Sequence, residues 1–88
     1  MADFIREHHT HIHTPEGLTY VPSTRAEQTP AGTWEAWLEF HPVERGAPVL
    51  KTGRETSQAS RQAIDVWASG LEATYLEGAF GRAHVDTR

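Results

Sequence analysis

The chain has 88 residues, of which 38% are hydrophobic and 23% charged, and its formal net charge is −4 at pH 7. This length favours a single small domain over residues 1–88, and the composition is not that of a disordered chain. The absence of cysteine excludes disulfides, and the acidic balance argues against a nucleic-acid partner. No apolar run approaches the ~18 residues of a membrane span, so we expect a cytoplasmic protein without a membrane partner.

The first part of the chain predicts a hairpin. Residues 1–7 are expected either to pack onto the domain through Phe4 and Ile5 or to fray. Residues of about 8–13 and 18–23 are expected to form two strands. Thr14-Pro15-Glu16-Gly17 suits the turn between them, because proline presets the backbone and glycine suits the exit. Pro22 indicates that the second strand ends there or lies at an edge.

The middle of the chain contains the clearest strand pattern. Residues 25–32 are polar with Pro30 and Gly32, which predicts a loop. Residues 33–41 then alternate, which places on the core side Trp34, Ala36, Leu38 and Phe40. The opposite side receives Glu35, Trp37, Glu39 and His41. Residues 49–52 predict a short strand that pairs back.

A helix over about residues 57–70 follows, because one face collects Ile64, Trp67, Ala68 and Leu71. Thr56 and Ser57 are candidate N-caps. Gly70 is a candidate end, since glycine adopts a left-handed backbone without steric cost.

Residues 71–76 fit a short strand, a continuation of this helix, or a break. We favour a break near Gly70 and a short second helix over about 76–83, with 84–88 as a frayed tail. The expected fold is therefore α+β: a three- or four-stranded antiparallel sheet with one main helix and this shorter one on the same face.

Alternating histidines are the most unusual feature of the sequence. On a strand, one face would present His9, His11 and His13, and imidazole binds zinc and other transition metals well. The simpler interpretation is a solvated segment that binds metal weakly and has no defined site. A defined site would need another ligand, either His41 or a carboxylate. The sequence predicts no cofactor. If the histidine cluster binds a metal, zinc or another transition metal is the expected ion.

Trp37 suggests a protein interaction surface together with Glu35, Glu39 and His41. A large aromatic on the outer face of a sheet is often a binding residue. The alternatives are cover by another part of the chain, such as the second helix or the N-terminal hairpin, and simple exposure.

An anion-binding turn is a third hypothesis. Arg54, Thr56 and Ser57 precede the expected helix, whose N-terminus could bind an anion through free N–H groups. Ordinary helix capping explains the same residues. No nucleophile elbow, P-loop or dinucleotide fingerprint is present, so we lean away from an enzyme.

The order of two strands, a T-G-x-E-T turn at 52–56, and a helical region reading toward A-T-Y-L-E-G at 73–78 resembles HicB-like antitoxin domains. The resemblance covers about residues 33–78 and implies a small regulatory or partner-binding module. The chain departs from that pattern where the helix opens, because it has Ser57-Gln58-Ala59-Ser60-Arg61 instead of an acidic, alanine-rich run.

The sequence identifies no substrate, partner or pathway. It favours a non-enzymatic interaction or regulatory module, with a protein partner or a second copy bound through the outer face around Trp37. Self-association would give a short chain additional buried surface. The alternative is a small metal-binding protein that uses the histidine cluster.

Overall fold

The computed structural model describes residues 2–86 and has two layers, one antiparallel sheet and two helices. Within these residues the sheet has seven strands: β1 (Asp3–Glu7), β2 (Ile12–His13), β3 (Thr19–Gln28), β4 (Trp34–Pro42), β5 (Leu50–Lys51), β6 (Thr56–Gln58) and β7 (His84–Val85). The helices are α1 (Arg61–Ser69) and α2 (Ala73–Arg82).

The long strands β3 and β4 form the centre of the sheet. They pair over nine residues, from Tyr20 opposite Pro42 to Gln28 opposite Trp34. Strands β1 and β2 share the free edge of β3, β5 and β6 share that of β4, and β7 pairs with β5. The expected three- or four-stranded sheet was therefore wrong. The strands that were not predicted are β1, β6 and β7. The last two contain three and two residues, which is too short to show an alternating pattern.

Strand β3 runs through Pro22 instead of ending there. Its outer edge pairs with β2 at Thr19 and Tyr20 and with β1 from Ser23 onward, so Pro22 lies in the gap between these partners. The Pro22 carbonyl accepts the His8 N–H at 2.9 Å. Because N and C=O of one residue point to the same side of an antiparallel strand, the missing donor of Pro22 also faces this gap.

The predicted loop over residues 25–32 was too long. Strand β3 continues to Gln28, and a short turn follows in which Thr29 N–H donates to the Thr33 carbonyl at 2.8 Å. Gly32 occupies this turn with a φ of +95°, a backbone conformation that favours glycine.

Both helices cover the same face of the sheet and divide it between them. Under α2 lies one apolar cluster, made of Ile12, Tyr20, Leu38, Phe40, Leu76 and Ala79. Phe80 packs on its edge, with its ring 5.2 Å from those of Tyr20 and Phe40. Under α1 a second cluster contains Ala26, Ala36 and Ile64, flanked by Ile5, Trp34 and Trp67. Each fully buried large side chain contributes roughly 1.5–3 kcal/mol.

The predicted alternation of β4 is confirmed on the core side. Ala36, Leu38 and Phe40 are fully buried, and Trp34 is half-buried. The outward residues of β4 are half-buried instead. The core side is specified so clearly because a slip of one residue would expose all of these apolar side chains.

The helix boundaries differ from those predicted. Helix α1 begins at Arg61 because Ser60 is its N-cap, whose Oγ accepts the Ala63 N–H at 3.1 Å. Thr56 and Ser57 lie in β6. Gly70 does end the helix, but its φ of −96° is not left-handed. Helix α2 begins at Ala73, three residues before its predicted start, so residues 71–72 are the connection.

Both ends of the chain contain strand. Strand β1 lies in the segment that was expected to pack onto the domain or to fray, and Ile5 packs against the cluster under α1, whereas β7 lies in the tail that was expected to fray. Strand β1 carries a bulge between Phe4 and Arg6. It is held to α1 by ion pairs from Arg6 to Asp65 at 3.2 Å and from Arg61 to Asp3 at 3.0 Å. At the other end, β7 pairs with β5, and the last two residues of the predicted tail, 87–88, lie outside the described residues.

His8 follows β1 and is buried, with 7% of its surface exposed. Its Nε2 lies 2.7 Å from the hydroxyl of Thr24, which is itself fully buried. Burial lowers the pKa of His8 below its usual 6.5, and the positive charges of Arg6 and His9 lower it further. Protonation of this ring therefore opposes folding.

The fold should lose stability as the pH falls below about 6.5, because there the unfolded chain binds a proton that folded His8 resists. We expect His8→Gln to flatten the dependence of the melting temperature on pH between about pH 7.5 and about pH 5. The control is His13→Gln, since His13 is exposed. Equal pH dependence in His8→Gln and the unmodified protein would contradict this assignment.

Candidate interaction surface

The face of the sheet turned away from the helices, here called the outer face, carries the predicted interaction residues. The inward side chains of β3 and β4 fill the core, so the alternate positions of both strands point outward. Pairing of the two strands sets Arg25 opposite Trp37, Ser23 opposite Glu39 and Val21 opposite His41. The structure thus brings Trp37, Glu39 and His41 onto one surface.

Glu39 is the centre of this surface, and its side chain is only 14% exposed. One carboxylate oxygen, Oε2, accepts the Trp37 indole N–H at 3.1 Å, and the other, Oε1, lies 3.1 Å from Nε2 of His41. Nε of Arg25 is 3.5 Å from the same Oε1, an ion pair whose geometry is not that of a hydrogen bond. The carboxylate is therefore neutralised and hydrogen-bonded within its own chain.

Further cations are also paired or stacked on this face. The Lys51 ammonium lies 5.1 Å from the ring centre of Trp37, within the range of a cation–π interaction. Arg25 stacks on Phe4 at 5.5 Å, and Arg54 pairs with Glu35 at 3.3 Å. Carboxylates without such a partner, those of Glu7 and Glu27, are exposed at its margin.

A groove of about 360 Å³ opens on the outer face beside this network. Ser23 forms part of its floor, and the lining also includes Phe4, Val21, His41 and Val43. Two of these apolar side chains are well exposed, Phe4 by 49% and Val43 by 64%. The outer face therefore combines exposed apolar groups with a paired polar centre.

Ser23 has no hydrogen-bond partner within residues 2–86, although the residue is 95% buried, with 5% of its surface exposed. A buried hydroxyl left without a partner costs roughly 1–3 kcal/mol. Long neighbours such as Glu7 and Glu39, which face Ser23 on the adjacent strands, shield it from solvent.

Sequence reasoning missed Ser23, Arg25, Lys51 and Phe4 as members of this surface. The alternating pattern of β4 predicts only the outward residues of β4 itself. The other members lie on strands whose register with β4 or β3 is set by the fold. The sequence predicts a loop for the segment containing Arg25, and fraying or packing onto the domain for the segment containing Phe4, so neither pattern indicates a strand beside β4 or β3.

The two alternatives for intramolecular cover of Trp37 do not hold within residues 2–86. Helix α2 packs on the opposite face through Leu76 and Ala79. The N-terminal hairpin is reduced to β2, which pairs with the edge of β3. No helix or strand of this part of the chain lies over the outer face.

The histidine cluster does not assemble. His9, His11 and His13 are exposed, and only the last belongs to β2. Nδ1 of His13 lies 3.2 Å from the Thr19 hydroxyl. Residues 2–86 contain no group of three or more histidine or carboxylate side chains placed to hold one metal ion. The metal hypothesis therefore gains no support from the geometry and stays a prediction.

The residues of the predicted anion-binding turn do not adjoin the N-terminus of α1. Thr56 and Ser57 lie in β6, four and three residues before the N-cap at Ser60. Arg54 pairs with Glu35. These residues therefore do not surround a helix N-terminus.

A polar cluster that the sequence did not indicate joins α2 to the segment before β6. Glu55, whose side chain is 8% exposed, accepts hydrogen bonds from the Tyr75 hydroxyl and from Arg82 at 2.6 Å. Arg82 also lies 5.7 Å from the Tyr75 ring centre, and Trp67 packs edge-on against that ring. The side-chain partners of Glu55 lie within the cluster, and its N–H donates to the Ala36 carbonyl of β4 at 2.7 Å, so its chemistry is that of a structural link between helix and sheet.

Comparison with models of known protein families, with curated proteins and with solved structures finds no match. The resemblance to HicB-like antitoxin domains is therefore without support beyond the residues that suggested it. Neither helix within residues 2–86 combines the length and the apolar character needed to cross a bilayer.

Tyr75 should ionise late. Burial raises the pKa of its phenol to about 12, and the hydrogen bond and charge of Glu55 act in the same direction against the smaller effect of Arg82. Because the pKa is raised, the protonated Tyr75 phenol contributes to the free energy of unfolding. This contribution is complete below the ordinary value near 10 and is lost as the pH rises through about 12. The difference in tyrosinate absorbance between the unmodified protein and Tyr75→Phe isolates this group.

We expect that difference to titrate near pH 12 and to shift downward in Glu55→Gln, which removes the negative charge. Circular dichroism recorded in parallel shows whether the fold persists over the titration. A difference signal centred near the ordinary value of about 10 would contradict the burial of this hydroxyl against Glu55.

Proposed function

We propose that this chain is a non-enzymatic protein-interaction module that associates with a second copy of itself through the outer face. The observation that carries the proposal is a broad sheet face, free of cover by residues 2–86, with an aromatic residue and paired charges at its centre. A protein partner fits such a face better than a small molecule, because the groove on it is open to solvent on one side.

The pattern of charge favours a second copy over a charged partner. Two identical chains carry the same net charge, here −4 each, so they repel overall. A face whose charges are balanced within each chain avoids adding to this repulsion. Glu39 is balanced by Arg25 and Trp37 within one chain, and Glu35 by Arg54. A matching face could cover this centre without burying an unpaired ion, which would be costly.

The size of the molecule leaves room for an interface of standard size. The molecule measures 41 × 28 × 18 Å, and its thinnest dimension is consistent with the stacking of helices on sheet. The two larger dimensions bound the sheet face at about 1,150 Å². A stable interface of standard size buries about 800 Å² on each partner. Exposed Phe4 and Val43 would add apolar area, and marginal Glu7 and Glu27 would form a polar rim.

Light scattering coupled to size-exclusion chromatography tests this proposal over a series of protein concentrations. We expect a dimer, and we expect Trp37→Ala to weaken it about tenfold or more, because central aromatic residues carry much of the energy of an interface. The matched control is Val66→Ala, which removes an exposed apolar side chain from α1 on the helical side.

Melting temperatures of both variants, measured at concentrations where each is monomeric, show whether the fold persists. A monomer at all concentrations would overturn the proposal. Equal dimer dissociation constants for Trp37→Ala and Val66→Ala would also overturn it.

A further inference from the structure

Strand β6 has one free edge within residues 2–86. It pairs with β4 on one side, and no described strand pairs with the other. Ala36 of β4 faces β6, because its carbonyl accepts the Glu55 N–H at 2.7 Å, and alternation turns the neighbouring Glu35 toward β3. Ser57 lies directly opposite Glu35. Its N–H and C=O therefore point away from β4, to the free edge.

A groove of about 490 Å³ opens between β6 and α1. The helix supplies an apolar wall through Ala63, Val66 and Trp67, and Val66 is 65% exposed. Gln58, the residue after Ser57, lines the side formed by β6. Its side chain lies on the helical face of the sheet, since it pairs with the core-side residue Trp34. The free strand edge and the apolar groove therefore adjoin each other.

The residues that line the groove are uncharged. Besides the apolar wall they include Gln62 and Ser60, which supply an amide and a hydroxyl. The charged side chains on the first turns of α1, Arg61 and Asp65, are both engaged by ion pairs to β1. A charged ligand would lose water here without gaining a partner of opposite charge. The groove therefore favours an uncharged ligand.

We propose that this edge and groove bind an extended, uncharged peptide segment that adds to β6 as a further strand. An edge strand recognises another chain through its backbone groups, and an adjoining pocket selects a side chain. The peptide residue opposite Ser57 exchanges two hydrogen bonds with it. In an antiparallel arrangement the preceding peptide residue lies opposite Gln58 and places an aliphatic side chain against Val66.

A second copy of this chain fits the groove less well than such a peptide. If two β6 strands paired through Ser57, Thr56 of one copy would lie opposite Gln58 of the other. Thr56 is polar, and its hydroxyl already accepts a hydrogen bond from Nε2 of Gln58 in its own chain at 2.8 Å. The apolar wall at Val66 would then stay uncovered. This site is therefore independent of the self-association through the outer face.

The probe is a capped hexapeptide of serine and threonine with one leucine at its third position, titrated into isotopically labelled protein and followed by NMR. We expect saturable shifts of the amide signals of Ser57, Gln58 and Val66. Aspartate in place of the leucine should weaken binding at least about tenfold, because it sets a charge against the apolar wall.

N-methylated peptides test the backbone contact. Methylation of the residue after the leucine removes the N–H that donates to the Ser57 carbonyl, so it should weaken binding at least about fivefold. Methylation one residue later is the control, because that N–H points away from β6. Equal effects of the two methylated peptides would contradict strand addition.

Val66→Ala should weaken binding of the leucine peptide about threefold or more, because it removes apolar contact. The matched control is Val43→Ala, since Val43 is 64% exposed and lines the groove on the outer face. Absence of saturable shifts, or shifts confined to the outer face, would overturn the proposal. So would a dimer that Val66→Ala weakens, because a second copy would then occupy this groove. A monomeric chain that binds the peptide at Ser57 and Val66 would overturn self-association alone and support this site.

Discussion

The nine-residue pairing of β3 with β4 is the constraint on which the rest of the structure depends. Because side chains alternate across a strand, this one register decides which residues of both strands enter the core and which form the outer face. It buries Leu38 and Phe40 under the helices, and by the same step it turns Trp37, Glu39 and His41 toward the outer face. Core and candidate surface are thus two consequences of one pairing.

Short strands and ion pairs hold the sheet edges and the helices, which the pairing of β3 with β4 does not fix. Each central strand has two short neighbours along its free edge, and Pro22 lies where one of these neighbours gives way to the other. The helices are then fixed to the sheet by apolar contacts, by the link through Glu55, and by the ion pairs that hold β1 to α1. In a domain of this size such edge contacts matter, because a smaller share of its surface can be buried.

The parts of the fold that the sequence predicted are those with long periodic patterns. Strand β4 and the apolar stripe of α1 were identified because several residues repeat at one spacing, and the strand predicted over residues 49–52 contains β5. Strands β6 and β7, which were not predicted, contain three and two residues. The boundary of α1 was misplaced because three hydroxyl residues compete for the N-cap, and only the pairing of Thr56 and Ser57 with β4 leaves Ser60 as the cap. Local chemistry alone does not distinguish these candidates.

Dependence on contacts between strands also distinguishes the network around Glu39 from the histidine cluster. The histidine cluster was proposed from spacing within one segment, yet β2 extends over two residues, so the alternation has no strand on which to align the rings. The partners of Glu39 are spread over β3 and β4, and Lys51 on β5 stacks on the indole that donates to it. Such a network depends on register between strands and is visible only once the fold is known. Under the self-association that we propose, a second copy would meet a centre whose charges are already paired and would displace water chiefly from aromatic rings and aliphatic stems, the favourable part of association.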